Sequence, residues 1–288
     1  MKAAFLTGIR KFEIRSMPDP EIANDTDVLV RIRMVGVCGS DVHYYRTGRI
    51  GPQVIEFPFI FGHEAAGVVE QTGKAVTRVK AGQRVAIDPT AACGRCDQCR
   101  SGRENTCRNL LFVGCPKQLD GALREFAVLP ETCCFPVGNG TSFERAVLSE
   151  PLAIAVYSVE KSRLPAGGSA AVLGAGPIGM SVLHVLRTRD AGAVYVTDKI
   201  DSRLGFAAAF GPKWTGHPEN PDAVDAILRM EPLQLDAVYE CSGDIGAVLQ
   251  AVRLLKPGGT LALIGIPEQD TISFPIHELR RKEITLLN

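Results

Sequence analysis

The stretch SAAVLGAGPIG, residues 169–179, restricts the possible folds more than any other part of the chain. A short apolar strand, AAVL, runs into Gly174, Gly176 and Gly179, and a helical pattern, MSVLHVLRT, follows. Gly174 permits a tight turn, Gly176 lets the backbone approach a pyrophosphate, and Gly179 allows close helix–strand packing. Pro177 and Ile178 complete the turn, and the helix N-terminus that follows is expected to face phosphates with its partial positive charge. The next strand, AVYVTD, ends at Asp198, where a carboxylate can accept hydrogen bonds from ribose hydroxyls and repels a 2′-phosphate. A plainer reading makes Asp198 a cap for the helix DSRLGFAAAF, but Asp201 suits that role better. Lys199 and Arg203 stand near enough in sequence to swing toward a phosphate, and Arg203 is counted with the cofactor site. Further strands are expected at LDAVYE, TLALIGI and ITLL. The pattern predicts a doubly wound parallel sheet that binds NAD in preference to NADP.

That sheet needs only the second part of a 288-residue chain, and the first part has a different character. Up to about residue 150 the sequence is rich in short alternating runs such as DVLVRIRMVGV, which read as a β-rich domain. Beyond Pro151, strands alternate with helical patterns. The expected division is therefore 1–150 and 151–288. Hydrophobic residues make up 45%, enough for two cores. Lys plus Arg equals Asp plus Glu at 32 each, which gives no reason to expect nucleic acid as a partner. No apolar run approaches the roughly 20 residues of a membrane span. MKAAFLTGIRKFEI has polar breaks where a signal peptide is continuous, and reads as strand, turn, strand. A cytoplasmic protein with reduced thiols is expected.

Reduced thiols bear on ACGRCDQCRSGRENTCR, residues 92–108, which holds Cys93, Cys96, Cys99 and Cys107 out of 9 cysteines. The spacing C-x2-C-x2-C-x7-C lets turns aim the sulfurs at one point, as a structural zinc requires. Gly94 and Gly102 give the backbone freedom. Arg95, Arg100, Arg103 and Arg108 favour thiolates electrostatically. An iron–sulfur cluster is the competing reading, because four cysteines serve it too. Such a closed site leaves no place for substrate. A second set has mixed chemistry: Cys38 in GVCGSDVH, His63 and Glu64 in FGHEAAG, and Glu150 in LSEPLA. Cys, His and carboxylate suit a catalytic zinc with an open position. Each of these signals is weak alone, since a lone Cys is usually core and a Glu before Pro often starts a helix.

Taken together, GVCGSDVHYY, GHEAAGVV, the four-cysteine loop and LSEPLA resemble the zinc-dependent medium-chain dehydrogenases, and the resemblance runs over essentially the whole chain. It implies a GroES-like catalytic domain followed by a Rossmann domain. It also implies that Cys38 and His63 bind zinc, and that Glu64 binds it or stands just behind it. At the third main position, simple alcohol dehydrogenases have Cys and polyol dehydrogenases have Glu, here Glu150. CGSDVHYYRTGRIG, with Tyr44 placed toward substrate, is more similar to sorbitol and xylitol dehydrogenases than to threonine dehydrogenases.

The chemistry implied is oxidation of a secondary alcohol by NAD. Zinc acts as the Lewis acid. Ser40 touches the reacting oxygen, and His43 passes the proton outward. Family members continue past the point matching Asn288 with a last helix, a return to the first domain, and residues near nicotinamide and polyol. This chain is expected to lack that return. The alternatives are another secondary-alcohol or amino-alcohol dehydrogenase, or a non-catalytic zinc- and nucleotide-binding protein. A homo-oligomer, dimer or tetramer, is expected through a pairing sheet edge. His184, His217 and His277 have no metal-like company, and Cys115, Cys133, Cys134 and Cys241 read as packing residues.

Overall fold

The computed structural model describes residues 1–219 and 223–288. Two compact units emerge, Met1–Glu150 and Pro151–Asn288.

The first unit is built on alternation. In Asp27–Val35 the buried Val28 and Val30 alternate with outward side chains, as one-sided burial of a strand demands. This strand lies inside a five-stranded antiparallel sheet ordered Phe126–Pro130, Asp27–Val35, Ala65–Thr72, Arg84–Ile87 and Cys134–Pro136. Its core includes Val28, Val30, Val69, Val85, Ile87 and Leu129. Cys133 and Cys134, both fully buried, belong to that core, as the sequence suggests. The N-terminal strand, turn and strand are Lys2–Gly8 and Lys11–Ser16, in a smaller sheet with Phe59–Ile60.

The second unit carries a six-stranded parallel sheet ordered Trp214–Gly216, Val194–Thr197, Ala170–Leu173, Leu235–Glu240, Leu255–Leu263 and Thr285–Leu287. In chain order this is 3-2-1-4-5-6, the doubly wound arrangement whose ligand crevice lies outside the carboxyl ends of the strands. Period two again explains the packing. Ala170 and Val172 face one cluster with Val182, Leu183 and Leu186, while Ala171 and Leu173 face another with Ile227, Val248 and Val252. Both faces are covered, so the strands read as continuous apolar runs rather than alternating ones. Each fully buried Leu or Ile side chain contributes about 1.5–3 kcal/mol. Among the described residues no helix is long and apolar enough to cross a membrane.

Candidate metal centres and dinucleotide cradle

The four-cysteine loop draws its sulfurs together within a single short segment. The ligand atoms of Cys93, Cys96, Cys99 and Cys107 all lie within 4.8 Å of one another. Cys96 Sγ is 3.5 Å from Cys99 Sγ and 3.9 Å from Cys107 Sγ. Four thiolates around zinc at about 2.3 Å lie about 3.8 Å apart, so the spacing fits a tetrahedral ion. All nine cysteines are free thiols. Gly94 and Gly102 adopt φ of +67° and +74°, the left-handed turns that aim the sulfurs. Backbone N–H groups of Cys93 and Asn109 donate to Cys107 Sγ at 3.3 Å each. The Arg108 guanidinium pairs with Asp97.

The mixed cluster is assembled from distant parts of the first unit. Cys38 caps the helix Gly39–Thr47 and donates its N–H to Asp41 Oδ2 at 3.0 Å. His63 and Glu64 follow Gly62, whose φ of +87° turns the chain into the strand Ala65–Thr72. The ligand atoms of Cys38, His63 and Glu64 lie within 4.8 Å of one another. A methyl group on Gly36 would lie 2.1 Å from Glu64 Oε2, so only glycine leaves room for that carboxylate. Burial disfavours the protonated ring of His63, leaving the neutral form a metal needs.

Glu150 lies in the first turn of the helix Ser149–Ser162, outside the close trio. Its carboxyl is pushed up to about 7, chiefly by burial and then by the carboxylates of Glu64, Asp88 and Asp41. Every group that shifts it through charge is acidic. A divalent cation is the natural counter-charge for such a cluster, and the donor set of sulfur, nitrogen and oxygen suits zinc.

Asp41 was not singled out by the sequence reading. It is 1% exposed, accepts the Gly62 N–H at 3.1 Å, and its Oδ1 stands 3.9 Å from His63 Nδ1. An acidic residue three positions after a candidate ligand, in the first turn of a helix, was the available signal. Phe112 also went unnoticed, and its ring lies 5.3 Å from that of His63. Ser40 hydrogen-bonds the Cys38 side chain. His43 is half-buried on the same helix, and its carbonyl accepts from Thr47 Oγ1 at 2.9 Å. Tyr44 is 4% exposed and packs in a small core with Leu6 and Ile55. Its hydroxyl donates to Gln53 Oε1 at 3.2 Å.

In the second unit the glycine turn has the form expected of a phosphate cradle. Gly174 adopts φ +100°, and a methyl group on Gly179 would stand 1.7 Å from the Gly174 carbonyl oxygen. Gly176 caps the helix Pro177–Thr188 with no side-chain cap, which leaves backbone N–H groups at its entrance for an anion. Asp198 is 6% exposed and accepts from the N–H groups of Ala175 at 2.7 Å and Ile200 at 2.8 Å. Asp201 is not the cap of the next helix: Ile200 holds that position and Asp201 is the first helical residue. Asp198 instead closes the turn before that helix, its Oδ1 accepting the Ile200 N–H. Arg203 Nη1 lies 3.7 Å from Asp198 Oδ2 and 3.8 Å from the Cβ position of Gly176.

A β-rich unit with one closed and one open metal-type cluster, followed in the chain by a dinucleotide-binding sheet, defines the class of two-domain metal-dependent dehydrogenases. Residues 24–139 match the alcohol dehydrogenase GroES-like domain, and residues 177–288 match the zinc-binding dehydrogenase domain. The chain belongs to the zinc-binding alcohol dehydrogenase family. It is 34% identical over 287 residues to sorbitol dehydrogenase of Bacillus subtilis (strain 168), covering 99% of this chain and 81% of that protein. It is 34% identical over 286 residues to D-xylulose reductase A of Aspergillus oryzae, covering 98% and 79%. A protein of Sinorhizobium meliloti 1021, classed as a zinc-binding dehydrogenase and crystallised with NADP, superposes with a TM-score of 0.90 at 31% identity, covering 99% of this chain and 83% of that one.

Proposed function

We propose that the chain is an NAD-dependent polyol dehydrogenase that oxidises a secondary alcohol, such as sorbitol or xylitol, to the ketone. The observation that carries this reading is the Cys38, His63 and Glu64 cluster with the Glu150 carboxyl in its field. The similarity to sorbitol dehydrogenase and xylulose reductase supports the substrate class. Bound zinc would supply Lewis acidity toward the alcohol, and bound NAD would accept the hydride.

The chain's own residues do the rest. Cys38, His63 and Glu64, with Glu150 directly or through a water, hold the catalytic metal. Asp41 fixes the ring of His63. Ser40 receives the substrate's hydroxyl proton and His43 carries it outward; both lie on the helix that begins beside Cys38. Gly174, Gly176, Pro177, Ile178 and Gly179 admit the pyrophosphate, and Asp198 with Arg203 receives the adenosine ribose. Cys93, Cys96, Cys99 and Cys107 hold a second zinc that pins their loop. Replacing a thiolate ligand by the Glu150 carboxylate leaves a harder, more water-tolerant centre, suited to adjacent hydroxyls.

The nine free thiols suit a cytoplasmic setting. The edge strand Thr285–Leu287 leaves one side of its ladder for a second copy, which suits a dimer or a tetramer. The test is NADH formation followed at 340 nm over a panel of polyols, simple secondary alcohols and amino alcohols. Turnover greatest with a polyol supports the proposal. Turnover with amino alcohols alone, or none with any substrate, overturns it.

A further inference from the structure

Asp198 is the carboxylate expected to receive the adenosine ribose, yet a second cation, Lys199, follows it directly in sequence. An unrestrained lysine there would welcome a 2′-phosphate. The structure does not leave it unrestrained. Lys199 Nζ lies 2.9 Å from Glu219 Oε1 and 3.0 Å from Asp244 Oδ2. These partners follow strands on either side of the one that ends before Lys199, the first adjacent to it and the second one strand further across the sheet. Glu219 follows the strand Trp214–Gly216, and Asp244 follows Leu235–Glu240. Asp244 is itself fixed, because it caps the helix Ile245–Leu254 and its Oδ1 accepts the Gly246 N–H at 2.7 Å. The other cation, Arg203, already stands 3.7 Å from Asp198. The corner therefore holds three carboxylates against two cations.

We propose that Glu219 and Asp244 act as cofactor-specificity residues, holding Lys199 away from the place a 2′-phosphate would take and so favouring NAD over NADP. The proposal rests on the NAD reading given above and adds to it the residues that enforce the choice. The pair acts by occupying the amine's N–H groups, so that Lys199 does not aim them at a phosphate. Both carboxylates raise the proton affinity of Lys199, pushing it up to about 12, the hydrogen bond to Glu219 first and that to Asp244 next. Exposed ion pairs of this kind contribute little to stability. Their effect is expected in cofactor choice rather than in folding.

The test titrates NADH and NADPH by the change in cofactor fluorescence on binding, which needs no turnover. It uses the wild type, the double variant Glu219→Gln/Asp244→Asn, and the same double variant with Lys199→Ala. Asparagine also caps helices, so the fold should survive, and a circular-dichroism melt checks this. The wild type should bind NADH more tightly than NADPH. The double variant should bind NADPH about tenfold more tightly than the wild type, the effect of one charge-assisted hydrogen bond in a partly exposed site. Its NADH affinity should change by less than about threefold, and Lys199→Ala should remove the NADPH gain. A wild type that prefers NADH, with no NADPH gain in the double variant, overturns the clamp and leaves the NAD reading standing. An NADPH gain that persists after Lys199→Ala also overturns the clamp, because charge alone would then explain it. A wild type that binds NADPH as tightly as NADH overturns the NAD reading and the clamp together.

Discussion

The two metal-type clusters of the first unit differ in how the chain makes them. The four cysteines span 15 positions, Cys93 to Cys107, and two left-handed glycines within the loop suffice to converge them. The open cluster draws Cys38 from a helix cap, His63 and Glu64 from the entrance of a strand, and Glu150 from a helix more than a hundred positions after Cys38. A closed site can be encoded locally because its work is to pin its own loop. An open site needs ligands approaching from several sides so that one position stays free, and the tertiary fold has to supply that geometry.

If the comparison holds, damage to the two clusters should separate cleanly. Cys38→Ala removes a proposed catalytic ligand, so polyol oxidation should fall to background while the four-cysteine zinc remains. This is the largest effect expected on turnover. Glu150→Ala should weaken catalytic metal affinity or turnover by about 10–100-fold, the range seen when an orienting partner is lost. If that variant kept full zinc and full activity while Cys38→Ala lost both, Glu150 would only start a helix and the polyol reading would lose its main support. Asp41→Asn keeps size and shape but removes the charge facing His63. A drop of about tenfold, at the low end of the same range, is expected in turnover or catalytic zinc affinity. Unchanged zinc affinity and turnover would show that Asp41 serves the helix start and not the ring.

Cys96→Ser should have the smallest effect on turnover and the largest on the loop. Limited proteolysis should then cut within residues 92–108. The melting temperature should fall by about 5 °C, as roughly 2 kcal/mol produces in a domain of this size. A loop that stays protected without its metal would break the contrast from the other side.

How much of this was legible in the sequence follows the same local–distant divide. The glycine turn, Asp198 and the four-cysteine loop depend on neighbours in the chain, so spacing and residue type predict them. The parallel strand order follows from alternating strand and helix patterns. Spacing alone could not have joined Cys38 to Glu150; the link came from resemblance. Asp41 escaped because its role is to face His63, a partner 22 positions away brought close by tertiary folding. The acid pair on Lys199 escaped for the same reason, since the lysine and its two partners follow three different strands. Tyr44 was expected toward substrate, and its ring is also a core residue, which its helical position did not reveal.

The central claim is that two zinc centres of different construction share one unit, and metal content tests it most directly. Zinc should be measured per chain on the wild type, Cys38→Ala and Cys96→Ser, purified without added metal. The account predicts two ions in the wild type and one in each variant, with alcohol oxidation lost in Cys38→Ala and largely kept in Cys96→Ser. A wild type holding one zinc that Cys96→Ser leaves unchanged, or iron with sulfide in the four-cysteine loop, would contradict it.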